Sequence, residues 1–137
     1  MKTSAEYTPK KLTKIIYIAL ICFGVFTAGG KGYSAFIGNL IIFPDEINSH
    51  ISNFSVSLIF YLTAGYSLLK KGVKIRTIVI LGLIILAANF ICETLMGFFN
   101  TTDIIDAIYG TAGTVLGFVF LLTAEKYGLR KNETKTD

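Results

Sequence analysis

The chain has 137 residues, of which 53% are hydrophobic, a mean hydropathy of +0.62 and a net charge of +4. This composition is too apolar for a small soluble domain, and the length allows only one domain. No Lys or Arg lies between Lys31 and Lys70 or between Arg76 and Lys126, where the apolar runs are found. The basic charge therefore indicates membrane orientation and excludes a nucleic-acid-binding patch.

The first spanning segment is predicted at residues 12–30, after a polar start that we expect to be frayed. It is long enough to cross a membrane if Lys14 extends its ammonium group to the interface. The alternative is a cleaved signal peptide, but bulky Phe26 stands where a small residue is wanted. We therefore expect a retained helix. Cys22 and Cys92 both lie inside apolar runs, so we expect them to be buried apolar residues and not part of a disulfide framework.

Residues 31–43 are apolar but too few to span a membrane as a helix. An interfacial or re-entrant segment is the first interpretation, and an extracellular flap is the alternative. Pro44 would then occupy the first turn of the following helix, with Asp45 and Glu46 near the positive end of its dipole.

Three further spanning helices are predicted at residues 52–69, 77–99 and 104–123, with a short basic turn at 70–76 and a polar tail from 125. The fold class is therefore all-α: a polytopic membrane protein with four transmembrane helices in one bundle. Twelve of the 13 basic residues fall on one side of this arrangement, and only Lys31 falls on the other. The positive-inside rule makes that side cytoplasmic, so both termini are expected inside a cell membrane.

Several ionisable residues fall on the predicted outer side. The second helix starts there, the third ends there and the fourth starts there, so we expect their polar ends to converge on one ligand-binding site. Glu93 lies about 9 Å below the outer end of its helix, where an ionised carboxylate should face the bundle or water. Several like charges in one pocket repel, so some should be protonated or should share a cation. The candidate site residues are Asp45, His50, Glu93, Asp103 and Asp106.

Each candidate also has a structural interpretation. Asp103 and Asp106 are placed to be the N-cap and the first-turn acid of the fourth helix. His50 fits a polar residue at the membrane interface. Small residues share the helix face below the two acids and are predicted to pack against another helix: Gly110, Gly113 and Gly117.

This pattern resembles the VanZ-like family of small bacterial membrane proteins. The resemblance runs from about residue 40 to 118. It rests on Glu93 late in a helix, a short outer loop, Asp103-x-x-Asp106 and then Gly113-x-x-x-Gly117. The earlier Asp45-Glu46 with His50 is similar to the family's Asp-to-His segment before its second helix.

The chain departs from that family at three polar positions. Family members often have Gln where this chain has Met96, and Arg in the outer loop where it has Thr101 and Thr102. They often have Asn where this chain has Gly110.

The resemblance implies a cell-envelope role, and the family's founding member is linked to low-level teicoplanin resistance. The implied partners are membrane lipids and a lipid-linked cell-wall precursor or a glycopeptide. No cofactor is predicted, and the sequence leaves open whether the acids bind a metal and whether the chain forms a homo-oligomer. A membrane enzyme acting on a lipid-linked envelope substrate is one alternative, although no nucleophile–base motif is readable. A small oligomeric transporter coupled to protonation of Glu93 is the other.

Overall fold

The computed structural model describes residues 7–28, 45–95 and 103–132. Within these ranges the chain forms four α-helices: α1 (Lys11–Ala28), α2 (Asp45–Lys70), α3 (Ile75–Leu95) and α4 (Ile104–Thr123). A π-helical turn, Ala124–Gly128, continues α4, and two short strands, β1 (Tyr7–Pro9) and β2 (Leu129–Lys131), pair with each other. The predicted four-helix bundle is confirmed. The predicted interfacial segment at 31–43 lies outside the described residues.

All four helices are long and apolar enough to cross a membrane. Their outward faces carry large exposed apolar side chains, a surface suited to hydrocarbon and not to water. Cys22 and Cys92 also lie on these outer faces as free, exposed thiols, so the expectation that they are buried was wrong. The outward-facing residues include Ile15, Ile18, Phe60, Leu83, Ile84, Ile108, Val115 and Val119.

Helix α2 is the centre of the bundle and contacts each of the other three helices, α4 most extensively. Helices α2 and α4 run parallel, because His50 contacts Asp106 near their starts and Gly65 faces Leu121 near their ends. The apolar core lies around this pair and includes a residue of α3; its fully buried side chains are Leu58, Tyr61, Leu62, Ile78 and Leu121.

Helix α1 runs antiparallel to α2. The two are joined at one end by the hydroxyls of Thr27 and Ser55, 2.7 Å apart, and at the other by stacked rings of Tyr17 and Tyr66, with centroids 4.2 Å apart. Helix α3 is also antiparallel to α2, and the hydroxyl of Tyr61 donates to the carbonyl of Ile78 at 2.9 Å. The connections therefore alternate between the two ends of the bundle.

One end of the bundle gathers the basic residues. Gly72, with φ 77°, ends α2 there in a left-handed conformation, and the amide of Val73 donates to the carbonyl of Leu68 at 3.1 Å. This turn sends the chain directly back into α3. All Lys and Arg of the described ranges lie at this end or within the adjoining helical turn: Lys10, Lys11, Lys14, Lys70, Lys71, Lys74, Arg76, Lys126, Arg130 and Lys131.

The strand pair at the basic end was not expected from the sequence, which predicted a frayed start. Tyr7 pairs with Lys131 and Pro9 with Leu129 in an antiparallel register. The carbonyl of Gly128 accepts from the Lys10 amide at 2.8 Å and from the Thr13 hydroxyl at 3.1 Å. The first and last described segments are thus held together at one end of the bundle.

Candidate functional site

The opposite end of the bundle carries a cluster of one histidine and two aspartates. His50 lies in the second turn of α2, Asp103 is the N-cap of α4, and Asp106 lies in the first turn of α4. The Nδ1 atom of His50 is 2.7 Å from Oδ1 of Asp106 and 3.7 Å from Oδ2 of Asp103. The His50 side chain is 15% exposed, and those of Asp106 and Asp103 are 24% and 40% exposed. We call these three residues the His–Asp cluster.

Asp103 combines two roles in the His–Asp cluster. Its Oδ1 accepts a hydrogen bond from the amide of Ile105 at 3.0 Å, and its backbone is extended, as an N-cap requires. The predicted N-cap is therefore confirmed. Its second carboxylate oxygen, Oδ2, is the one that faces His50. The capping hydrogen bond thus fixes the orientation of the Asp103 carboxylate and leaves Oδ2 able to contact a ligand.

Gly113 allows α2 and α4 to approach each other closely. A Cβ atom at this position would lie 2.1 Å from the carbonyl oxygen of Phe54, which belongs to the backbone of α2. Gly117 leaves room in the same way for the ring of Tyr61, with a Cβ distance of 3.1 Å. These contacts place both glycines in helix packing, as their spacing indicated.

A polar contact below the His–Asp cluster connects α3 to the α2–α4 pair. The side chain of Asn89 lies 3.1 Å from the hydroxyl of Ser57 through Nδ2 and 3.3 Å through Oδ1, so either residue can donate. A Cβ atom at Gly110 would lie 2.6 Å from Nδ2 of Asn89. Gly110 is therefore the position on α4 against which the Asn89 side chain of α3 packs.

The structure does not bring every predicted site residue together. Glu93 is partly buried near the end of α3, but it is not in the His–Asp cluster and forms no hydrogen bond or ion pair with any described residue. The side chain of Asp45 lies outside the described residues. Tyr109 was missed by the sequence reasoning, although it follows Asp106 by one helical turn. Its ring centroid lies 5.7 Å from that of His50.

A mainly apolar groove of about 150 Å³ lies between α3 and α4, deeper in the spanning region than the His–Asp cluster. Its lining suits an apolar group and not a charged one. The groove is lined by Tyr61, Val79, Gly82, Leu83, Leu86, Thr114, Val115 and Phe118.

The ligand atoms of the His–Asp cluster all lie within 4.8 Å of one another, which is close enough for a shared metal ion. Without a metal, the arrangement is a histidine that donates a hydrogen bond to a carboxylate. With or without a metal ion, the His–Asp cluster is a polar, partly exposed site at the end of an otherwise apolar bundle.

No protein-family model, curated protein or solved structure matches this chain. The resemblance to VanZ-like proteins is a hypothesis that rests on the residue pattern around Glu93, Asp103 and Asp106.

Proposed function

We propose that this chain is a bacterial cell-membrane protein of the VanZ-like type, with both termini in the cytoplasm and the His–Asp cluster facing outward. Its role is in the cell envelope, where it binds an outer-leaflet or cell-wall component and supports low-level resistance to teicoplanin-type glycopeptides. Binding, and not catalysis, is the proposed activity.

The observation that carries this proposal is the separation of charge between the two ends of the bundle. The described Lys and Arg residues lie at the end that holds β1 and β2, and His50, Asp103 and Asp106 lie at the other. The positive-inside rule assigns the basic end to the cytoplasm, which leaves the cluster on the outer face. A site on the outer face can bind envelope components and glycopeptides without their being transported across the membrane.

The groove between α3 and α4 supports a lipid-bearing partner. It lies among residues that the bilayer surrounds, and its lining is mainly apolar. A membrane lipid, or a lipid-linked cell-wall precursor, has a hydrocarbon chain for this groove and a polar group for the outer end. The transporter alternative depends on Glu93, which has no hydrogen bond or ion pair within the described ranges, so no observation favours it.

Deletion of the gene in its host should lower the minimal inhibitory concentration of teicoplanin, and expression of the chain from a plasmid should restore it. The physical reason is that the outer site intercepts the glycopeptide or occupies the cell-wall precursor that the glycopeptide binds. The measurement is broth dilution with teicoplanin, with an antibiotic that acts in the cytoplasm as the control.

The parent strain must be shown to contain the protein. If deletion of the gene from that strain leaves teicoplanin sensitivity unchanged, the resistance role is contradicted. An equal change for the cytoplasmic antibiotic would point to general membrane damage instead.

A further inference from the structure

We propose that His50, Asp103 and Asp106 bind one divalent transition-metal ion, with Zn²⁺ preferred over Mn²⁺ and Ca²⁺. The inference deepens the outward-facing site of the proposed function, but its chemistry is independent of any resistance phenotype.

The first support for a metal is the geometry of the donor atoms. A metal about 2.0–2.2 Å from each ligand atom places neighbouring ligand atoms about 3.0–3.5 Å apart. The two distances from Nδ1 of His50, 2.7 Å to Asp106 and 3.7 Å to Asp103, lie on either side of this range. All three ligand atoms lie within 4.8 Å of one another, so side-chain rotation has to bring them closer around the ion. Metal binding through Nδ1 requires the proton of the Nδ1–Asp106 hydrogen bond to be released to water.

The second support is an uncompensated negative charge. The His–Asp cluster sets two carboxylates beside a single histidine, and every Lys and Arg of the described ranges lies at the other end of the bundle. A divalent cation would neutralise both carboxylates in a partly buried site, where the repulsion between them is weakly screened.

The kinds of ligand atom select the metal. One imidazole nitrogen with two carboxylate oxygens suits Zn²⁺, whereas Ca²⁺ and Mg²⁺ prefer oxygen ligands alone. Zn²⁺ also binds such a mixed site more tightly than Mn²⁺. Three protein ligands leave at least one coordination position for an oxygen from an envelope component, such as a phosphate or a carboxylate.

The test is equilibrium dialysis of the full chain in detergent micelles against ZnCl₂, with bound metal measured by mass spectrometry and with MnCl₂ and CaCl₂ as parallel arms. Wild-type protein should bind one Zn²⁺ per chain. His50→Gln, Asp106→Asn and Asp103→Ser should each weaken Zn²⁺ binding by more than about tenfold, since the loss of even an outer-shell partner costs this much. Serine at position 103 keeps the N-cap, so this variant removes the carboxylate and leaves the helix start intact.

Glu125→Gln is the matched control, because this exposed acid lies in the π-helical turn at the opposite end. It should bind Zn²⁺ as wild type does. If a cluster variant fails to fold, wild-type protein still decides the question: added Co²⁺ should give a visible absorption that one equivalent of Zn²⁺ abolishes.

The proposal is overturned if wild-type protein shows no saturable Zn²⁺ binding, or if binding is unaffected by His50→Gln and Asp106→Asn. Resistance that persists in wild type without Zn²⁺ binding would overturn the metal site and leave the proposed function standing. Zn²⁺ binding without any resistance phenotype would overturn the proposed function and leave the metal site standing.

Discussion

Replacing Gly113 with alanine should lower the free energy of unfolding by about 1–3 kcal/mol, as expected for overpacking of a closely packed interface. The added Cβ atom would lie 2.1 Å from the carbonyl oxygen of Phe54. This oxygen belongs to the backbone, so relief requires α2 and α4 to separate. The better helix propensity of alanine opposes this loss by about 1 kcal/mol but does not relieve the contact.

The measurement is unfolding in detergent micelles, followed by loss of helical circular dichroism on addition of a denaturing detergent. Gly110→Ala is the graded comparison, because its Cβ atom meets the end of the Asn89 side chain, which can rotate away. Ala112→Leu, on the exposed face of α4, should change stability little. Equal stability of the Gly113→Ala and Ala112→Leu variants would contradict the close approach of α2 and α4.

His50→Gln and Asp106→Asn should each lower teicoplanin resistance by the same amount, and the double variant should be no worse than either single variant. The two side chains form one hydrogen-bonded pair, with Nδ1 of His50 2.7 Å from Oδ1 of Asp106. Because the pair acts as a unit, either substitution removes the same interaction and the two losses do not add. Both variants should still accumulate in the membrane, since the apolar faces of the helices are unchanged.

The measurement is broth dilution of the complemented deletion strain, with protein abundance checked by immunoblotting of membranes. Glu125→Gln should retain full resistance. Losses that add in the double variant would show that His50 and Asp106 act separately. Normal resistance in both single variants would exclude a functional role for the pair.

The helices and their alternation could be predicted from the sequence, because bilayer thickness fixes the length of each apolar run and the basic residues mark its ends. Hydropathy alone did not locate the start of α2, which Pro44 and the two acids after it indicated. The apolar run begins near residue 52, but the helix begins at Asp45, directly after Pro44. Hydropathy marks the part of a helix that lies in the hydrocarbon, whereas its polar first turns continue beyond it. His50 lies on this polar extension.

Contacts between distant segments could be predicted only in part. Spacing on α4 correctly placed Asp106 and the glycines toward the other helices, because helical periodicity is a local property. The pairing of β1 with β2 depends on the two ends of the chain meeting, and neither segment has an alternating apolar pattern that would indicate a strand. The rotation of α3 about its axis could not be predicted either, because apolar residues lie on most of its circumference. In the structure, Asn89 contacts Ser57, whereas Glu93 lies outside the His–Asp cluster.

The most direct test of an outward-facing His–Asp cluster is labelling of a cysteine placed within it. In a background with Cys22→Ala and Cys92→Ala, Asp103→Cys offers a position whose native side chain is 40% exposed. A membrane-impermeant maleimide added to intact cells should label Asp103→Cys, and should label Val73→Cys in the basic turn only after the cells are permeabilised. Labelling of Val73→Cys in intact cells, with Asp103→Cys protected, would contradict the orientation and the proposed site.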